Sequence, residues 1–139
     1  MAKNHKGIDM NRCWSVDYVK QTEDRNFNGT KPFQAYEAKY LRDFILKHQG
    51  KSNILVDTHG WLEETMGDKA LGKYYRKQFD LTKHIDGYGR GYLINWARTL
   101  KKGRSVLVEL PEVKNHKQFV NKKYAKKWIN ATMKMLKEN

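Results

Sequence analysis

The sequence predicts an α/β fold with helices packed on the faces of a small sheet, and three observations predict it. Two short apolar runs, Ile54-Leu55-Val56 and Val106-Leu107-Val108, have the length and β-branched content of buried strands. Around them, apolar residues recur at helical spacing in four segments. The resulting order of helix, strand, helix, helix, strand, helix suits helices layered on a sheet. Two or three strands are few for such a layout, so the sheet reads as incomplete.

The elements follow in order. The chain to about Asn28 is irregular, with Ile8-Asp9-Met10-Asn11-Arg12 as a short strand or turn. Lys31-Pro32-Phe33 opens the first helix, because proline in a first turn forfeits no intrahelical bond. Phe33, Tyr36, Tyr40, Leu41, Phe44 and Ile45 form its apolar stripe, and Gln49-Gly50 stops it. The strand ending at Val56 leads through Asp57-Thr58 to His59. A second helix spans about Asp68 to Lys83, with Leu71, Tyr74, Tyr75 and Phe79 on one side. Gly87, Gly89 and Gly91 around Tyr88 read as a flexible loop able to close over a ligand. A short helix from Tyr92 to Leu100 carries Trp96, and Lys102-Gly103 turns into the strand that ends at Glu109. Pro111 closes that strand. The last helix runs from about His116 to Lys137, striped by Val120, Tyr124, Trp128, Ala131 and Met135.

At 139 residues the length fits one domain with a real core. No stretch approaches the roughly 20 apolar residues of a membrane span. The first residues lack the apolar segment of a signal peptide. One cysteine, Cys13, excludes an internal disulfide framework and a zinc–thiolate motif, which leans the expectation toward the cytoplasm. The formal charge of +13, with ten lysines between Lys101 and Lys137, suits a solvated basic face or a polyanion partner. No helix-turn-helix, zinc-finger or RNA-recognition signature accompanies the charge, so nucleic acid is not the expected partner.

Each apolar strand delivers one chemical side chain at its C-terminal end, where open α/β sheets place their ligands. His59 by itself is an ordinary loop histidine. Glu109, ending an apolar strand, needs a partner or a task. Arg12 beside Asn11 sets a guanidinium next to an amide, a pair suited to a carboxylate. His, Glu and Arg in this combination fit metal-assisted hydrolysis of a substrate with an acidic end.

The segment Gly7-Ile8-Asp9-Met10-Asn11-Arg12-Cys13-Trp14 resembles the G-V-D-L-N-R-N-W/F block of the zinc carboxypeptidases, the carboxypeptidase A-like metallopeptidases, with Cys13 in place of the second Asn. Gly29, Pro32, Phe33 and Glu37 echo that family's entry into a helix. Val56-Asp57-Thr58-His59 and Val106-Leu107-Val108-Glu109-Leu110 match its two site strands, and Trp96 precedes Glu109 at the family's spacing. The resemblance covers nearly the whole chain but only the second half of the family's catalytic domain. It implies a mixed sheet flanked by helices, as in the C-terminal half of a zinc-exopeptidase fold.

The resemblance also implies roles. His59 is the third zinc ligand and Glu109 the general base. Asn11 and Arg12 grip the substrate's terminal carboxylate. Tyr88 is the mobile-loop tyrosine, with Tyr92 as fallback. Ile94 falls where the family sets preference for the terminal side chain, which points to an apolar or neutral one. The partner is then a peptide C-terminus, and the cofactor zinc.

A catalytic zinc needs three protein ligands, and the family's first two come from a His-x-x-Glu motif upstream of the Asn-Arg block. None of His5, His48, His59, His84 and His116 has Glu at the third following position. The chain alone is therefore expected to be inactive, with zinc weak or absent. Three readings stay open: the C-terminal part of a longer or split peptidase, a degenerate peptide-carboxylate-binding module, or a basic polyanion-binding protein. The first brings two further expectations. The unpaired sheet edge would take the missing N-terminal half or a second copy of the chain. The basic charge would also suit an anionic cell wall and its peptides.

Overall fold

The structure, a computed structural model, describes residues 3–51 and 53–139. It is α/β, with a mixed sheet flanked by helices. The chain forms two compact units: one holds the residues up to Leu55 together with Tyr88–Arg104, the other Val56–Gly87 with Ser105–Asn139.

The first unit is built around Trp14. Its ring lies 4.9 Å from Trp96 and meets Phe33 edge-on at 5.4 Å. Ile8, Cys13, Ala35, Ala38 and Ala97 complete the buried cluster. Cys13 is sealed in this core, and burial pushes its thiol up to about 11, so it is a packing residue rather than a nucleophile.

Helix α1 (Tyr36–His48) begins later than Pro32 suggested. Phe33 adopts a left-handed backbone (φ 55°), donates its N–H to the Cys13 carbonyl at 2.7 Å and turns its ring to Trp14. That tertiary contact outweighs helix continuation. The stripe expected to be buried on α1 is largely exposed, at Tyr36, Tyr40, Leu41 and Phe44, while Ala38 faces the core.

Helix α3 (Leu93–Ala97) is a single turn and a half, shorter than its periodicity indicated. The glycine loop before it is pinned. Gly91 donates to the Val16 carbonyl at 3.1 Å and accepts from the Trp14 N–H at 3.0 Å. A Cβ on Gly91 would lie 2.4 Å from the Arg12 carbonyl oxygen. The glycine is there for close backbone approach.

The second unit holds the sheet, in the order β1–β4–β2–β3, where β1 is Asn53–Gly60, β2 Glu64–Gly67, β3 Lys83–Ile85 and β4 Gly103–Leu110. The first residues of β1 and β4 belong to the other unit. β2 runs antiparallel to β4 and parallel to β3, with Glu64 opposite Glu109 and also opposite Lys83. Neither β2 nor β3 was expected. Both are too short, and their sequences, Glu-Thr-Met-Gly and Lys-His-Ile, too polar to show as strands.

Helix α2 (Lys69–Phe79) starts where Asp68 caps the Leu71 N–H at 2.9 Å. It stops at left-handed Asp80, whose N–H returns to the Arg76 carbonyl. Arg76 Nη1 donates to Thr65 Oγ1 at 2.7 Å, over a surface kept open by Gly72.

The C-terminal helix is two helices, α4 (His116–Asn121) and α5 (Tyr124–Glu138), broken at left-handed Lys123. The break brings Phe119 onto Tyr124, which also meets Phe79 of α2 edge-on at 5.3 Å. α5 is fastened to α2 by Tyr75 Oη to Thr132 Oγ1 at 2.9 Å and Tyr74 Oη to Glu138 at 2.7 Å. Trp128 Nε1 donates to Thr58 Oγ1 of β1 at 3.0 Å.

Two glycines with nearly the same positive φ separate backbone strain from collision. Gly7 (φ 72°) has open space around it, whereas Gly91 (φ 69°) touches the Arg12 backbone. Gly7→Ala should cost about 1 kcal/mol, the left-handed penalty alone. Gly91→Ala should cost about 2 kcal/mol or more. Urea unfolding monitored by tryptophan fluorescence measures both, and equal losses would show that the close contact at Gly91 relaxes freely.

Candidate active site

The candidate site residues fall in both units. In the first, a 3-10 turn over Met10–Arg12, capped by the Asp9 carboxylate on the Asn11 N–H, sets Asn11 and Arg12 side by side. Asn11 is buried and its Oδ1 accepts the N–H of Leu93 at 2.9 Å, so this side chain caps the start of α3. Arg12 is half-buried. Its Nη1 donates to the Asn11 carbonyl at 3.0 Å, and its guanidinium lies 4.1 Å from the centre of the Tyr92 ring. Stacked in this way, the guanidinium presents a pre-oriented fork.

The sequence reading overlooked Asn28. Its fully buried amide donates to the Arg12 carbonyl at 2.8 Å and the Val19 carbonyl at 3.0 Å, while its oxygen accepts from the Gln21 N–H at 2.8 Å. It fixes the backbone that carries Arg12. Nothing in the local pattern marks a lone Asn in an irregular stretch as such a hub.

Tyr88 is half-buried with the Arg98 guanidinium 5.0 Å from its ring centre. Ile94 is fully buried within α3. Between the two tyrosines, Tyr92 is the one in contact with Arg12.

In the second unit His59 lies inside β1, one residue before its end, rather than in a loop. Alternation along the strand puts Asp57 on the same face as His59, and His59 Nε2 pairs with Asp57 Oδ1 at 2.9 Å. Glu109 occupies the penultimate position of the neighbouring strand β4. One of its oxygens, Oε2, is buried without a hydrogen-bond partner. Burial pushes the Glu109 carboxyl above the usual carboxylate range; His59 and the N–H of Leu62 pull it down, while Glu64 and Asp57 push it further up.

Glu64 is the unforeseen member of this group. It is almost fully buried, directly across the β2–β4 ladder from Glu109, and it pairs with Lys83 Nζ. Its Oε2 is without a well-aligned hydrogen bond, so the Lys83 contact is an ion pair rather than a directed bond. Like charges placed opposite one another in a sheet repel, and the Lys83 ammonium offsets one of them.

Zinc needs three protein donors, and among the described residues no three His, Cys, Asp or Glu side chains are grouped to hold a metal. His59 is a single donor already engaged with Asp57. The residues described do not by themselves fit a catalytic zinc.

No family model matches the sequence. The chain is 32% identical over 135 residues to bacteriocin BCN5 of Clostridium perfringens, a match that takes in 93% of this chain and only 15% of that protein. Murein-tripeptide amidase MpaA from Escherichia coli O157 superposes with a TM-score of 0.71 at 19% identity, over 89% of this chain and 57% of that one. Carboxypeptidase A from Helicoverpa armigera gives 0.72 at 16% identity, over 92% and 40%. Thrombin activatable fibrinolysis inhibitor gives 0.60 at 14% identity, over 93% and 39%. The fold is that of these carboxypeptidase-type structures, and the chain spans about half the length, or less, of each of them.

The raised Glu109 carboxyl has a consequence for stability. Its folded state favours the neutral form, so ionisation destabilises the fold above the folded pKa, and this penalty disappears below the unfolded value of about 4.3. Glu109→Gln should therefore be more stable than the native chain at neutral pH, with the difference closing as pH falls toward about 4. Urea midpoints across that range measure it, and a difference independent of pH would assign the effect to packing.

Proposed function

We propose that this chain carries part of a carboxypeptidase-type peptidase: a grip for the free C-terminal carboxylate of a peptide, and a His–Glu pair of the kind that serves hydrolysis of the last peptide bond. The observation supporting it is the placing of His59 and Glu109 at the C-terminal ends of neighbouring strands, in a chain with the carboxypeptidase fold. Arg12, oriented by Tyr92 and by the Asn28-held backbone, is the carboxylate-binding group. Asn11 sets the start of the helix that bears Ile94 and joins in the grip. Tyr88 covers the bound end.

Glu109 is suited to accept a proton: a partly buried carboxyl, held above the usual carboxylate range by its burial, with one oxygen unengaged. Hydrolysis through zinc would require ligands beyond those described. With the missing half supplied, the protein removes C-terminal residues from peptides, cell-wall peptides among the candidates. β1 is an edge strand of the sheet, which supports completion by an added half or a second copy.

A second reading for the chain by itself, a non-catalytic module that binds peptide carboxylates, rests on the Tyr92-stacked Arg12 guanidinium, whose grip needs no metal. Titration calorimetry with an N-acylated dipeptide and its C-terminal amide tests the shared core of both readings. Binding is expected for the acid and not for the amide. It should fall by roughly a hundredfold in Arg12→Ala, as for loss of a buried charge-assisted contact. Equal binding of acid and amide would refute the carboxylate grip. Hydrolysis of the same dipeptide in the presence of zinc then separates enzyme from module.

A further inference from the structure

Helix α5 is amphipathic on two sides. Its inner side, Tyr124, Ala131 and Met135, is buried, and Trp128 beside them packs toward Tyr75 of α2. Its outer side carries Ile129, Met133 and Leu136, which are 55%, 51% and 57% exposed. Their i, i+4, i+7 spacing makes one continuous stripe, which a soluble helix has no packing reason to display.

The charges around the stripe are one-sided. Lys126 and Lys137 lie along one edge of it at about 100° of turn per residue and are exposed. Neither has a carboxylate at ion-pair distance among the described residues. The other two lysines of the helix turn away, Lys127 toward Asp80 at 4.0 Å and Lys134 toward Glu138 at 3.8 Å. The outer face is thus an apolar strip edged by unpaired cations.

We propose that this face of α5 docks on an anionic lipid surface, with the helix lying in the interface plane. Ile129, Met133 and Leu136 enter the acyl boundary, and Lys126 and Lys137 reach the lipid phosphates. A dissolved polyanion would engage the lysines and leave the stripe in water. A second copy docked antiparallel would bring lysine edge against lysine edge. A partner both apolar and negative satisfies both rows. Because the inner side already holds the helix in place, binding carries no folding cost.

Cosedimentation of the chain with phosphatidylcholine vesicles, with and without equal phosphatidylglycerol, tests this. Binding is expected only with the anionic lipid. Replacing all three apolar residues (Ile129→Gln, Met133→Gln, Leu136→Gln) should weaken it at least about tenfold. Reversing the two charges along its edge (Lys126→Glu, Lys137→Glu) should abolish it. All five side chains are exposed, and circular dichroism confirms that both variants keep the native fold. Absence of binding, equal binding of both vesicle types, or undiminished binding by the glutamine variant would overturn the proposal. So would a dimer, seen by sedimentation, that the glutamine variant abolishes.

Discussion

The first unit depends on one buried amide. Asn28 ties three stretches of irregular chain together through main-chain groups that would otherwise be left unsatisfied in the interior: the Arg12 carbonyl, the Val19 carbonyl and the Gln21 N–H. A segment with almost no regular structure can be well defined only if such groups are paired, and here a side chain does what a sheet ladder does elsewhere. The Arg12 guanidinium inherits its position from this bond and from Tyr92. The aromatic cluster of Trp14, Trp96 and Phe33 then supplies the apolar burial that the backbone pairing organises.

In the second unit the governing constraint is electrostatic. Three carboxylates, Asp57, Glu64 and Glu109, act on one another at the end of a sheet, and two cationic or titratable partners, His59 and Lys83, make the arrangement tolerable. Glu109 is left as the acid with the weakest compensation. A carboxylate ending an apolar strand signalled this in the sequence. The cross-strand partner Glu64 did not, because its role depends on a register between two strands that no local pattern announces.

What was legible in the sequence follows the same division. β1 and β4 were visible because Ile54-Leu55-Val56 and Val106-Leu107-Val108 are dense in β-branched residues, and both extend through the chemical residue at their ends. The helices were visible as periods, yet their ends were set by contacts across the fold. Phe33 leaves the helical region to reach Trp14, and Lys123 breaks the last helix so that Phe119 and Tyr124 can meet. Periodicity also cannot say whether a stripe has a neighbour. The apolar side of α1 and the outer side of α5 are both regular, and both are bare.

The distribution of indole rings gives the chain built-in optical reporters. Trp14 and Trp96 sit 4.9 Å apart at an interplanar angle of 38°, close and skewed enough for their transitions to couple. Trp128 is half-buried in the other unit, and Trp61 is largely exposed. Coupling between the first two gives the near-ultraviolet dichroism a paired band from one unit alone. Loss of that band therefore reports the packing of the first unit, without a label.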